Sequence, residues 1–318
     1  MGRNHRLVKI DVHAHYVPDG YRTVLERNGH AQPDGMPAIP EWSAPAHVEA
    51  MDRLGIATSL LSISSPGVHL GDGTATVELA RDVNEAGRRA VVDHPGRFGL
   101  LASLPLPDVD ATIAEIAYCC DRLAVDGFVL LTNVGGTYAS DPSFAPVFAE
   151  LDRRRARVLL HPTSPPCWEH TSLGRPRPML EFFFDTTRTV VDLVCNGTIG
   201  RHPDLEVLVP HAGATLPLVA DRVNAFAQLL APDVDVLRDL GRLHYDLAGF
   251  SVPRQLDALL TLTTLDHLHY GSDFPFTPEF IVAAAAERID AVDALSGALR
   301  ANTARLFPTR PTPAEDER

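Results

Sequence analysis

A single (β/α)8 barrel of the α/β class, with loop insertions over its carboxyl-terminal face, is the fold this sequence predicts. Three observations point there. Eight short apolar runs alternate with longer helix-like stretches along 318 residues, the pattern of a parallel sheet wound with helices. The first run leads into His13-Ala14-His15, not into the glycine-rich phosphate loop common after the first strand of a doubly wound sheet. Ligand-type side chains also stand at the ends of three further runs, and a barrel does its chemistry at the carboxyl ends of its strands.

In order, strands are expected at Leu7–Val12, Thr58–Ser62, Phe98–Ala102, Gly127–Leu131, Arg157–Leu160, Glu206–Pro210, Leu243–Asp246 and His267–Tyr270. Between them, Ala75–Asp93 repeats apolar residues at helical spacing through Val77, Leu79, Ala80, Val83, Ala86 and Ala90. Asp108–Leu123 and Leu216–Leu230 read the same way, and Asp108 after Pro107 suits a helix N-cap. The Gly- and Pro-rich stretch 18–44 reads as an insertion after strand one. Thr163–Pro178 is a second long loop, after strand five. Both would lie over the active-site end, placed to cover a pocket. Residues 1–307 make one domain, and the proline-rich, then acidic stretch Pro308–Arg318 is expected to be disordered.

Composition narrows the partners. With 45% apolar residues the chain can bury a sizeable core, and 28 basic against 41 acidic residues give a net charge of −13. An acidic surface argues against nucleic acid and against anionic membrane as partners. It leaves room for a small anionic substrate, because a metal can dominate one pocket. Cys119, Cys120, Cys167 and Cys195 show no Cys-x-x-Cys spacing and read as reduced thiols of a cytoplasmic protein. No apolar signal core follows Met1–Arg6, and no run reaches membrane-spanning length.

The ligand-type residues carry the chemistry. Residues two apart on a strand share a face, so His13 and His15 project together. Strand five runs into His161, strand six into His211-Ala212-Gly213, and strand eight into Gly271-Ser272-Asp273-Phe274-Pro275. Each alone has an ordinary reading, as a hydrogen-bonded structural histidine or a helix-capping aspartate. Five acid/base or metal-competent groups at four strand ends are hard to assemble by chance, and imidazole with carboxylate is a donor set for a divalent metal.

These stretches, with Met179-Leu180-Glu181-Phe182-Phe183-Phe184-Asp185-Thr186-Thr187-Arg188 and Asn302-Thr303-Ala304-Arg305-Leu306-Phe307, resemble the metal-dependent amidohydrolase superfamily. Within it the chain is similar to the nonhydrolytic branch of aminocarboxymuconate semialdehyde, γ-resorcylate and 6-methylsalicylate decarboxylases. The run 179–188 most resembles the last group. The resemblance implies that His13, His15, His161 and Asp273 bind one divalent ion, zinc first and manganese as the alternative. It also implies that His211 stays unligated and acts on the substrate. No lysine stands at the end of strand four, Val129-Leu130-Leu131-Thr132-Asn133, which favours a single ion. Relatives place a carboxylate-binding arginine where His47 stands here, and Arg222 fits a second pocket-facing position or an exposed helix surface. Candidate ring neighbours are Phe182, Phe183, Phe184, Trp168 and Phe274, with Phe276 and Tyr138 behind them.

The activity implied is loss of CO2 from a small, hydroxy-aromatic or unsaturated acid by a homodimeric enzyme. Asp273 would protonate the carboxylate-bearing carbon, assisted by His211. Two rivals use the same ligands: a lactonase-like hydrolase, in which the metal activates water, and a noncatalytic metal-binding protein. A free His211 beside the cluster argues against the second, since a structural site needs only its ligands.

Overall fold

A computed structural model describes residues 9–308, apart from positions 72 and 296. One eight-stranded parallel sheet runs in the order β1 (Lys9–His15), β2 (Ile56–Ser62), β3 (Phe98–Ser103), β4 (Gly127–Leu131), β5 (Arg157–His161), β6 (Glu206–Val209), β7 (His244–Asp246) and β8 (Leu268–His269). Val12 N–H donates to the Tyr270 carbonyl at 3.0 Å and His15 N–H to the Phe274 carbonyl at 2.8 Å, so the last strand returns to the first and the ring closes. All eight expected strands are present. β4 has the expected bounds, and the others differ at one or both ends by one to three residues: β1 continues through both histidines, and β8 keeps only two ladder residues. Leu7, Val8 and the tail beyond position 308 lie outside the described residues.

The strands read as unbroken apolar runs because both faces are covered. On β5, Val158 and Leu160 pack outward against helices, whereas Leu159 turns inward. Val12, Leu60, Leu101, Val129, Leu159 and Leu208 supply one inward residue from each of six strands, and Leu306 and Phe307 join them. Two positions beyond Leu159 on the same face comes His161, and two beyond Leu60 comes Ser62. The apolar interior thus gives way to polar groups at the carboxyl end. No described helix is long and apolar enough to cross a membrane.

The helix expected at Ala75–Asp93 spans Gly73–Asp93, and Leu216–Leu230 is as expected. The helix after β3 is α-helical over Val109–Tyr118 and then widens into a π turn, Cys119–Leu123; the Asp108 carboxylate caps its start by accepting from Ala111 N–H at 2.9 Å. Insertion 18–44 contains a helix, Asp19–Arg27, and a single turn, Pro33–Gly35. A hairpin not foreseen in the sequence, Asn133–Val134 with Thr137–Tyr138, follows β4.

That hairpin is tied to the helix Glu181–Cys195 by the fully buried Asp185. Its carboxylate accepts from Thr132 Oγ1 (2.5 Å), Asn133 Nδ2 (3.0 Å), Tyr138 OH (2.8 Å) and Arg188 Nη1 (3.1 Å). Asp185→Ala strands these donors, so it should cost about 3 kcal/mol. A urea midpoint lower at unchanged slope would report that loss; a shift under about 1 kcal/mol would show the donors finding other acceptors.

Candidate metal centre

His13 and His15 bring their Nε2 atoms to within 3.1 Å of each other. Asp273 Oδ1 lies 3.1 Å from His15 Nε2 and 3.6 Å from His13 Nε2. With His161, the four ligand atoms all fall within 4.8 Å of one another. Each imidazole is anchored through its other nitrogen. His15 Nδ1–H donates to the Ser62 carbonyl (3.2 Å) and His161 Nδ1–H to the Pro162 carbonyl (2.7 Å). A carbonyl only accepts, so in the neutral rings the proton sits on Nδ1 and the Nε2 lone pair points inward. Lone pairs and a carboxylate crowded at one point repel each other unless a cation sits among them. The donor set fits one divalent ion, zinc or manganese by its mix of imidazole and carboxylate.

His13 is anchored differently. Its Nδ1–H donates to Asp246 Oδ2 at 2.9 Å, with both side chains fully buried. Asp246 also accepts from the backbone N–H of His211 (3.0 Å) and of Ala248 (2.9 Å). Sequence reading missed this residue, although it closes the expected strand Leu243–Asp246. Burial pushes the His13 imidazole down, but Asp246, then Asp273 and Asp11, more than offset it and raise it to about 9. A corner negative enough to hold a proton there will hold a divalent cation in its place. Burial lowers His15 and His161, helped by charge on neighbouring imidazoles. Burial alone would raise Asp273, yet the His15 hydrogen bond and the charge of His13 bring it well below the usual carboxylate range.

Backbone geometry aims these groups. Asp273 has φ +58°, and its N–H donates to the His13 carbonyl at 2.7 Å. Asp11 fastens the same loop by accepting from Ser272 Oγ (2.5 Å) and Ser272 N–H (3.0 Å). His211, Ala212, Gly213 and Ala214 all have positive φ, a strained turn of the kind that gathers at functional sites. A Cβ on Gly213 would meet Tyr245 Cε1 at 3.0 Å, so the turn can sit this close to β7 only with glycine there. The turn presents the His211 ring flat against Phe183, with centroids 5.6 Å apart. Among the described residues that ring has no hydrogen-bond partner, and its Nδ1 is buried. Asp273 Oδ2 is not free, since it accepts from Thr277 Oγ1 at 2.9 Å.

A cavity of about 250 Å³ opens above these groups. His161, His211, Asp273 and Thr277 form its floor; Phe182, Phe183, Phe250 and Phe276 form its walls. Pro33, Asp34 and Met36 of the insertion roof it, with Pro178 of the loop after β5, so both long loops cover the pocket as expected.

Several expected substrate contacts lie elsewhere. Phe184 is 44% exposed, because one further step along a helix turns it away from the face of Phe183. Trp168 lines a separate hollow, beneath the Arg177 guanidinium at 4.2 Å. Phe274 packs behind the site on His47, ring centroids 4.9 Å apart, and Phe276 takes the cavity position instead, 5.6 Å from His15. His47 is buried, accepts from Trp42 Nε1–H at 2.9 Å, and is lowered to about 3 by burial and by charge on His15 and Arg97. It is a neutral core residue and no substitute for an arginine. Arg222 is exposed and lies over Phe226 at 5.2 Å, the helix-surface reading.

The sequence matches a family model described as amidohydrolase over residues 10–309. It is 33% identical to the 6-methylsalicylic acid decarboxylase of Aspergillus aculeatus, covering 95% of this chain and 96% of that protein. A solved structure described as an amidohydrolase II superposes with a TM-score of 0.90 at 34% identity, covering 94% of this chain and 99% of the other. A dihydroxybenzoic acid decarboxylase from Polaromonas sp. JS666, solved with bound manganese and 2-nitroresorcinol, shares the fold with a TM-score of 0.81 at 20% identity, covering 96% of this chain and 98% of that one.

Proposed function

The chain belongs to the amidohydrolase family, and from that premise we propose that it is a metal-dependent, nonoxidative decarboxylase of a small hydroxy-aromatic acid. The observation that carries this reading is the join of metal-binding floor and phenylalanine-walled cavity in a chain one-third identical, end to end, to a decarboxylase of 6-methylsalicylic acid. An apolar cavity of about 150 Å³ takes benzene, so 250 Å³ suits one substituted ring. 6-Methylsalicylate is therefore the first substrate to try. No lysine or arginine is among the described residues lining the cavity, so a substrate carboxylate finds its counter-charge only at the metal-binding corner.

When bound by His13, His15, His161 and Asp273, a divalent ion (zinc first, manganese second) supplies Lewis acidity to the carboxylate and phenol oxygens. The protein does the rest. Asp273 is ionised in the resting site, so the proton it passes on arrives with the ligand. It takes the phenol proton and delivers it to the ring carbon bearing the carboxylate, which makes the ring a keto tautomer. The carbon–carbon bond then breaks, its electron pair stays in the ring, CO2 departs, and the phenolate takes a proton from solvent. His211, whose ring has no hydrogen-bond partner among the described residues, hydrogen-bonds the leaving carboxylate and turns it out of the ring plane, while Phe182, Phe183 and Phe276 hold the ring and exclude water. Exposed Leu218, Phe226, Leu229 and Leu230 on one helix offer an apolar face for a homodimer, and four free cysteines suit the reducing cytoplasm.

Protein loaded with zinc or manganese should release CO2 from 6-methylsalicylate with the matching ultraviolet change. Chelation should abolish the release and added ion restore it. Turnover of a lactone with no gas from any hydroxybenzoate would overturn this assignment in favour of hydrolysis.

A further inference from the structure

Asp34 is the carboxylate in the cavity's roof, opposite the floor that carries Asp273. It sits in the turn Pro33–Gly35 with φ +53°, an unusual conformation for a side chain that is also nearly buried. Its Oδ1 accepts from Ser164 Oγ at 2.5 Å, and Ser164 Oγ in turn accepts from Arg177 Nε at 3.0 Å. The Arg177 guanidinium lies outside the cavity, over Trp168 and close against Gly35. The balancing positive charge is thus behind the roof and does not line the cavity. Among the described residues nothing donates to Asp34 Oδ2. Asp34 lines the same cavity as His161, His211 and Asp273, so a ring held there shares the space with this carboxylate.

We propose that Asp34 is a specificity-determining residue that reads the substituent on the far edge of the aromatic acid: it accepts a hydrogen bond from a hydroxyl there and repels a second carboxylate. This rests on the decarboxylase reading for the substrate class. A hydroxyl at that place makes a charge-assisted hydrogen bond. A carboxylate meets like charge inside the pocket, where the nearest cation, Arg177, lies behind Asp34 and does not line the cavity; such a repulsion is one of the ways a site rejects a competitor. The ordinary alternative is that Asp34 only clasps the two covering loops together through Ser164.

The test compares metal-loaded parent, Asp34→Asn and Ser164→Ala on five acids. These are salicylate, its 4- and 5-hydroxy derivatives, and its 4- and 5-carboxy derivatives (2-hydroxyterephthalate and 4-hydroxyisophthalate). Kd is read by calorimetry and kcat/KM by CO2 release. The parent should disfavour the dicarboxylates against salicylate, and Asp34→Asn should raise their relative binding by about tenfold or more, because removing like charge across an interface is worth that much. The same variant should lower the preference for a hydroxy derivative over salicylate. Ser164→Ala breaks the clasp but keeps the charge, so it should change all five acids by a similar factor. Equal effects of Asp34→Asn on every acid, or the same change of ratios in Ser164→Ala, would overturn the proposal. Absence of CO2 from every acid would sink the decarboxylase reading alone, since the binding ratios report on Asp34 without turnover.

Discussion

Asp273→Asn should lower kcat by about a thousandfold, in the range that a positioned acid–base group contributes, and deuterium should enter the carbon that loses CO2 correspondingly more slowly in heavy water. The reason is in the geometry. Oδ1 of Asp273 faces the imidazole lone pairs and Oδ2 accepts from Thr277. An asparagine keeps one oxygen for the ion, and Thr277 can rotate its hydroxyl to accept from the new amide. Metal binding should therefore survive, weakened, while nothing at this position can take up or deliver a proton. Metal content measured beside turnover separates the two losses. An Asn variant that turns over within tenfold of the parent would show that another group protonates the carbon.

Asp246→Asn should act by a different route, through the tautomer of His13. Asp246 Oδ2 accepts from His13 Nδ1–H, and Oδ1 accepts from the backbone N–H groups of His211 and Ala248. The amide oxygen of an asparagine can take over the two backbone donors, which leaves its NH2 facing His13 Nδ1. Two donors cannot pair, so His13 moves its proton to Nε2 and loses the lone pair that holds the ion. Metal affinity should fall by roughly 10- to 100-fold, as it does when such an outer carboxylate is removed. A competitive chelator titration measures this. Excess metal should recover much of the activity here and none in Asp273→Asn; equal recovery in both would contradict the division of roles.

The barrel and most of the metal set were legible because each rests on a local pattern. Apolar runs marked the strands, and His13, His15, His161 and Asp273 stand at or just past strand ends, where parity or a short loop fixes their direction. What failed depended on orientation that spacing alone does not set. Phe182, Phe183 and Phe184 are adjacent in sequence, yet helix phase puts two of them on the cavity and sends the third to solvent. Phe274 and Phe276 exchange expected roles because the chain leaves β8 as an irregular loop. His47 matched a family position by count, but its neighbours Trp42, Phe98 and Phe274 make it core. Asp246 went unread because β7 has three residues, too few for alternation to show. Gly135-Gly136, both at positive φ, form the two-residue turn of a hairpin whose strands, two residues each, are too short to show alternation.

The roof over the cavity is made by chain segments that contribute no ligand to the floor. Pro33, Asp34 and Met36 belong to the stretch between β1 and β2, and Pro178 to the one between β5 and the helix Glu181–Cys195. On the proposed reading, the roof can change without touching the four residues that would hold the ion. One barrel can trade its covering loops for others, and so change diet, while the ion-handling base underneath is left alone.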